Sequence, residues 1–318
     1  MIHITEDEVK KLLNMDETIA AVEKAIKELS LGTAKMHPRV RMRIEEHEGD
    51  ILVMSAYVPS LNIFSTKVVS SYHRNVGRGL PTINALLVVF DPKTGRPLAT
   101  IDGAYLTAVR TGAISGVATK YLARDGASIL TVIGCGVQAR TQALAISKVR
   151  KLEKIYAYDI RREAAEVYAK EISDALNVET SVANSPAGAV SEADIVVTAT
   201  TSKQPVIRWE WLKKGVHINA VGSYTPDARE LDSETIIHSK VVIDYMPAAL
   251  EEAGDVLIPI SEGKFSAKRI YAELGEVIAG IKPGRVSDEE VTVFKSVGLA
   301  VQDAAAASVI LMKLPLSR

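Results

Sequence analysis

The sequence predicts an α/β protein in which a doubly wound parallel sheet is joined to a discontinuous α+β domain. Three observations carry this. Between residues 128 and 244, short β-branched runs alternate with helical stretches, the pattern of a parallel sheet with crossover helices. Before residue 103 the order is helix, helix, then strands joined by hairpin turns. The chain then closes on a long Ala-rich helix, 299–312, whose small residues suit close packing back onto the first domain. We therefore expect residues 1–123 with 295–318 in one domain and 124–294 in the other.

The first domain opens on Thr5-x-x-Glu8, a capping box for a short helix. Asp16 is expected to cap a second helix, with Ile19, Val22, Ile26 and Leu29 on one face and Gly32 as the stop. The period then changes to that of strands over 37–44, 50–57 and 63–70, with turns at Gly49-Asp50 and Pro59-Ser60-Leu61-Asn62. Arg39, Arg41 and Arg43 alternate with Val40, Met42 and Ile44, so the three arginines share one face. That face is either solvated or turned in part to an anionic pocket, for which a guanidinium suits bidentate carboxylate binding.

Lys67 interrupts the apolar run Phe64–Val69. It lies either on an exposed edge or in the interior, where burial lowers a lysine's pKa and makes it usable as an acid or base. His73 follows in a polar loop without a His, Cys or Asp neighbour at metal-ligand spacing, and no metal is expected. Residues 83–91 and 97–102 read as a hairpin about Pro92-Lys93-Thr94-Gly95. A small, apolar helix over 107–122 carries Arg110, costly to bury unless paired and so a candidate anion ligand.

After the linker Arg124-Asp125-Gly126, the run Ser128–Ile133 leads into Gly134-Cys135-Gly136-Val137-Gln138-Ala139 and then a helix through about Val149. A second run, Lys154–Tyr158, ends on Asp159. This is a Rossmann dinucleotide fingerprint in its full context. Gly134 allows the tight turn, Gly136 lets a pyrophosphate approach the backbone, and Ala139 lets helix and strand pack closely. The amides at the helix start, at Val137 and Gln138, face the phosphates, and Asp159 is placed to accept from ribose hydroxyls. Asp159 repels a 2′-phosphate and favours NAD, while Arg161 and Arg162 leave NADP open. Cys135, the single cysteine, reads as a small packing residue within the turn.

Beyond Asp159 come a helix over 163–176, a strand over 179–183, a short helix near 187–190 and strands over 194–200, 217–221 and 241–244. Together they make a sheet of about six strands. Thr200-Thr201-Ser202 and Gly222-Ser223-Tyr224 lie just past strand ends, where ligands bind in such sheets. Trp209 and Trp211 read as packing residues.

Composition bounds the rest. The 318 residues are 47% hydrophobic and 24% charged, and 38 basic side chains balance 39 acidic ones. Such a balance gives no global field for nucleic acid or an anionic membrane. The start is acidic where a signal peptide is basic then apolar, and no stretch approaches the ~20 apolar residues of a membrane span. The expected address is the cytoplasm.

Several segments resemble the ornithine cyclodeaminase/mu-crystallin family: Thr66-Lys67-Val68-Val69, Gly79-Leu80-Pro81-Thr82, 106–113, 133–139, 217–223, Arg229-Glu230-Leu231-Asp232, 275–280 and 294–300. The resemblance covers nearly the whole chain. It implies a homodimer built through the N-terminal domain, NAD(P) on the Rossmann domain and substrate in the cleft between them. It also implies hydride transfer between small amino acids and their imines. By position, Arg41, with Arg39 as the competing alignment, and Arg110 would bind the substrate carboxylate, and Lys67 would be the catalytic lysine. Thr111, Gly134, Gly136, Val137, Gln138, Ala139, Asp159, Arg161, Thr200, Val221, Gly222, Ser223 and Lys295 would hold the cofactor.

One departure matters. Members that cyclise ornithine, and the archaeal-type alanine dehydrogenases, carry an aspartate where this chain has Tyr224, which here becomes a candidate substrate contact. Asp227 follows three residues later as a candidate replacement base or hydrogen-bond partner to the substrate nitrogen, or as a turn acid capping the Ser233 region. The expected activity is NAD(P)-dependent reduction of small imino acids such as Δ1-pyrroline-2-carboxylate, or the reverse amino-acid dehydrogenation, with alanine dehydrogenation close behind. Ornithine cyclodeamination ranks next, and a non-catalytic nucleotide and carboxylate binder is the reading of another class.

Overall fold

The computed structural model describes residues 1–314, apart from the side chains of His73 and Val76. The metal expectation for His73 therefore lies outside the described residues. The chain divides into two compact units: Met1–Arg110 with the segment from Leu299 onward, and Thr111–Gly298.

The first unit opens with β1 (Ile2–Ile4), α1 (Glu6–Leu12), α2 (Met15–Ser30), β2 (Lys35–Met36) and β3 (Val40–Ile44). It continues through β4 (Gly49–Val58), β5 (Ile63–Tyr72), β6 (Ile83–Phe90) and β7 (Pro97–Asp102) into α3 (Gly103–Leu122), which starts four residues before the expected Thr107. The Thr5/Glu8 capping box forms. The second helix is capped by Asn14, not Asp16: the Asn14 side chain accepts from the Glu17 amide at 2.9 Å. Asp16 lies in the first turn, where its charge favours the positive helix end.

The sheet runs β1-β7-β6-β5-β4-β2, with β3 also paired to β4 and only β1 parallel to its neighbour. One face is packed. Leu52, Met54 and Ala56 of β4, Val69 of β5 and Leu87 of β6 are buried there. The apolar face of α2 is buried too, and helix Ala300–Met312 packs on α2, β4 and β5. Each fully buried Ile or Val of α2, such as Ile26 and Val22, contributes roughly 1.5–3 kcal/mol. The opposite face is apolar and open. Val40, Val53, Val68 and Leu86 stand abreast across four strands, and Val40 and Met42 are 65% and 60% exposed.

The second unit is an eight-stranded, all-parallel sheet. Its elements are β8 (Ile129–Ile133), α4 (Val137–Val149), β9 (Lys154–Tyr158), α5 (Arg162–Leu176), β10 (Glu179–Val182), α6 (Pro186–Ser191), β11 (Ile195–Thr198), β12 (His217–Ala220), α7 (Ser233–His238), β13 (Lys240–Ile243), α8 (Met246–Glu252), α9 (Gly254–Ser261), β14 (Ala272–Glu273), α10 (Leu274–Ile278) and β15 (Thr292–Lys295). The last helix, α11 (Ala300–Met312), is the one that belongs to the first unit. Strand order is β10-β9-β8-β11-β12-β15-β13-β14. The order reverses between β8 and β11, and in such sheets the crevice beyond that pair's carboxyl ends takes the ligand.

Eight strands form where about six were expected. The sequence reading left Thr292–Lys295 unassigned, yet β15 is central and fully buried between β12 and β13. His217 of β12 is also buried, bonded to Thr292 Oγ1 and Asn219, and burial pushes its imidazole down to about 3, so it is neutral. Among the described residues, no helix is long and apolar enough to cross a membrane, and no group of acidic, His and Cys residues could hold a metal.

Candidate functional site

The crevice beyond β8 and β11 is built by close backbone approach. Gly134 adopts φ +90°, and a side chain there would lie 2.7 Å from the Ala199 carbonyl, so only glycine lets these two loops meet. At Gly136 an added carbon would meet nothing within 4 Å, which leaves the backbone open to approach. Helix α4 starts there without a side-chain cap. Arg140, which the sequence reading passed over, donates to the carbonyls of Cys135 and Gly136 and pairs with Glu171. The loop carbonyls are thus tied back and the helix-start amides of Val137, Gln138 and Ala139 remain to meet an anion.

Asp159 follows β9 directly. One oxygen accepts from the Cys135 amide and the other from the Arg161 amide, both at 2.9 Å, so the carboxylate is aimed by the loop it serves. Each oxygen keeps a lone pair for a ribose hydroxyl. The Arg161 guanidinium is mostly exposed, and Arg162 is engaged with Glu166 and Asn184. Cys135 is buried, and burial, with the Asp159 charge behind it, pushes its thiol up to about 12. Such a thiol is inert, as packing requires.

The loops after β11 and β12 are held from below by charges that the sequence did not reveal. Glu230 accepts from the Thr200 amide and hydroxyl, the Thr198 hydroxyl, and the amides of Gly222 and Ser223. Burial pushes its carboxyl up, with the Asp255 charge behind it, while the Lys295 charge and the Thr200 donors pull the other way. Asp255 receives the amides of Glu230 and Leu231 on one oxygen and the Ser223 hydroxyl and Lys295 on the other. Glycine is required at position 222 as well, since a side chain would lie 2.4 Å from the Thr200 backbone.

Two expectations are corrected here. Lys295 is not placed to touch a cofactor. Its Nζ is fully buried and spent on the Ser223 carbonyl at 2.6 Å, the Ser223 hydroxyl at 2.8 Å and Asp255 at 2.8 Å. It pins the Ser223 turn from behind. Asp227 is no buried base: its side chain is 61% exposed and paired with Lys203, and that hydrogen bond holds its carboxyl below the usual range. Tyr224 is half-buried against the apolar core of the unit, Val221 donates to the Thr198 carbonyl, and the Thr111 carbonyl receives Gln142.

The first unit holds a second constellation. Lys67, 1% exposed, stands on the packed face of β5, directly across from Met54 of β4 and Leu87 of β6. Its Nζ lies 2.8 Å from both carboxylate oxygens of Asp303 and 3.4 Å from the Thr107 hydroxyl. Arg110 shares the same aspartate, Nε to Oδ1 at 2.8 Å, and donates through Nη1 to Gln302 at 2.8 Å. Burial drives the Lys67 ammonium down to about 8, with Asp303 opposing the shift and Arg110 and Arg39 adding to it.

Of the two competing arginines, the structure brings Arg39 to Lys67. Val40 pairs with Val53 and Val53 with Val68, so Arg39, one residue before the strand, leads toward the end of β3 nearest Met54 and Lys67, and its charge acts on Lys67. Arg41 is one strand repeat further along and binds Asp50 at 2.8 Å, as Arg43 does. This geometry favours Arg39, the competing alignment, over Arg41 as the carboxylate ligand. Sequence reading also missed Asp303 and Gln302; their one signal was polarity inside an Ala-rich helix.

The sequence profile of the ornithine cyclodeaminase/mu-crystallin family matches residues 2–315. A Δ1-pyrroline-2-carboxylate reductase of Bacillus cereus is 44% identical over 304 residues, 95% of this chain and 93% of that one. Among solved structures, the Thermococcus litoralis Δ1-pyrroline-2-carboxylate reductase in complex with NADH and L-proline superposes with a TM-score of 0.96 at 45% identity, covering 98% of this chain and 97% of the other. An archaeal alanine dehydrogenase dimer with bound NAD gives 0.92 at 40% identity, with 98% and 94% covered. With the match end to end and both constellations in place, the chain belongs to the ornithine cyclodeaminase/mu-crystallin family.

Proposed function

We propose that the protein is an NAD-dependent reductase of small cyclic imino acids, taking Δ1-pyrroline-2-carboxylate to proline and running in reverse as an amino-acid dehydrogenase. The observation that carries this reading is Lys67: fully buried, held by Asp303, and with its pKa lowered by burial to about 8. A buried lysine tuned this way is suited to give and take one proton. Support also comes from the relatives named for this reaction.

In this reading the second unit holds the nucleotide and the first the substrate. The Gly134–Gly136 loop and the start of α4 take the pyrophosphate, Asp159 the ribose, and the loops of Thr200 and of Gly222 and Ser223 the nicotinamide end. When bound, the reduced nicotinamide supplies a hydride to the imine carbon. Arg110 and Arg39 hold the substrate carboxylate, and Lys67 gives its proton to the imine nitrogen. Asp159 favours NAD over NADP.

The open row of Val40, Val53, Val68 and Leu86 fits a second copy of the chain, since apolar faces of this kind mark association surfaces. We read the protein as a homodimer through this face, and as cytoplasmic, where NADH is at hand.

Ornithine cyclodeamination needs a further base. Tyr224 replaces the family aspartate and Asp227 is committed to Lys203, which counts against it. Alanine dehydrogenation is the second reading, favoured by the archaeal neighbour. The deciding experiment follows NADH oxidation with Δ1-pyrroline-2-carboxylate, then with pyruvate and ammonia, then proline release from ornithine. Turnover of the cyclic imine is the expected result. Activity only with pyruvate and ammonia makes the protein an alanine dehydrogenase, and silence with every substrate while nucleotide binds makes it a binder.

A further inference from the structure

Two cations share one carboxylate beside β5. Lys67 and Arg110 both lie 2.8 Å from Asp303, and the Arg39 charge also acts on Lys67. Asp303 is the anion that acts most strongly on Lys67; Met54 and Leu87, opposite it on β4 and β6, are uncharged, as are Thr107 on α3 and Gln302 on α11. Uncompensated charge in such a setting is costly, so the site tolerates fewer protons than it has basic groups. The arginines keep theirs at any accessible pH. Lys67 is the group that yields.

Arg110 is arranged to change partners. Its Nε is on Asp303 and its Nη1 on Gln302, while its Nη2 makes no hydrogen bond among the described residues. A ligand carboxylate would meet Nη2 and compete with Asp303 for the guanidinium. It also adds a second anion to the cluster, so that Arg110 and Lys67 no longer share one carboxylate.

We infer that Asp303 is a positioning residue that couples substrate binding to proton loading: a carboxylate taken by Arg110 and Arg39 leaves Asp303 to Lys67, which enters the reaction as the ammonium. This rests on the functional reading above and deepens it. The reaction then balances. The imine carbon receives a hydride, the imine nitrogen receives the Lys67 proton, and the lysine is left neutral beside a substrate reduced by two electrons. Departure of the amino acid returns Asp303 to both cations, and the next substrate draws the next proton from solvent.

The test is calorimetric titration of the full-length enzyme, saturated with NAD, using pyrrole-2-carboxylate, a planar five-membered carboxylate that accepts no hydride. Titrations in buffers of different ionisation enthalpy report protons taken up. Because Lys67 titrates at about 8, binding at pH 8 should take up roughly half a proton per site, and at pH 6 almost none. Asp303→Asn should abolish the uptake at pH 8 and move the alkaline limb of kcat/KM to lower pH, and Asp303→Glu should restore part of both. A role in folding alone leaves that limb where it was.

Binding of pyrrole-2-carboxylate at pH 8 without uptake overturns the inference, and needs no variant. Unchanged uptake in Asp303→Asn also overturns it, by placing the effect directly between ligand and lysine. If wild type reduces no imine and binds no carboxylate, the functional reading falls first and takes the inference with it. Turnover without proton uptake removes the coupling and leaves the reductase standing.

Discussion

Among the described residues two lysines are fully buried, and each lies 2.8 Å from a buried aspartate, yet they are built for opposite purposes. Lys295 has its donors on the Ser223 carbonyl, the Ser223 hydroxyl and Asp255, with distances of 2.6–2.8 Å. Lys67 has one good partner, Asp303, which it shares with Arg110, and a hydroxyl at 3.4 Å. The first ammonium is saturated and fixes a loop. The second is under-compensated and ready to lose a proton. Burial with an ion pair is thus no signature of catalysis; the competing cation is what separates the two.

Exchanging each lysine for an isosteric apolar residue breaks the comparison hardest. Lys67→Met should lower kcat for imine reduction by roughly 10²–10⁴-fold, the span of general acid catalysis. Thermal stability should move little, because Asp303 retains Arg110. Lys295→Met should do the reverse. It strands Asp255 among backbone amides, and breaking a buried pair costs about 3–5 kcal/mol, read in a denaturant or calorimetric melt. A Lys67→Met protein that melts early with kcat intact would erase the distinction.

The two arginines sharpen it. Arg39→Ala should raise KM for the imino acid by roughly 10–100-fold, the loss of a charged hydrogen bond of about 1.5–3 kcal/mol. Arg41→Ala, removing a partly exposed pair with Asp50 that Arg43 also serves, should change KM less than about fivefold. Equal effects would return Arg41 to the site. The smallest effect is expected at the ribose end. Asp159→Ser should narrow the preference for NADH over NADPH by roughly tenfold, through loss of one carboxylate that repels a 2′-phosphate. An unchanged ratio of kcat/KM for the two cofactors would show that Asp159 serves only its loop.

What the sequence discloses follows from distance along the chain. The Gly134–Asp159 fingerprint was legible because each part of it is local: strand, turn, helix, strand and acid within about 30 residues. Lys67 and Arg110 were legible as lone charges in apolar runs. Asp303 was not, because its meeting with Lys67 spans 236 residues and depends on α11 packing on β5. Glu230 and Asp255 escaped for the same reason, their partners being backbone amides of loops that only the sheet brings together. Arg41 and Arg39 are not told apart by alternation, because both lie on one strand face, and the two-residue shift between them, roughly 7 Å, is fixed only by the pairing register. The exposure of Asp227 and its pairing with Lys203 were not legible, since spacing reports neither.

The most direct test of the account is the pH dependence of kcat/KM for Δ1-pyrroline-2-carboxylate with NADH from about pH 6 to 10. Burial and the two arginines lower the Lys67 ammonium from 10.5 to about 8 in the free enzyme, so the acid is present below that pH and lost above it. The account predicts a falling limb that bends near pH 8. A rate that stays flat to about pH 10 would show that Lys67 is either not the acid or not perturbed, and would contradict the central claim.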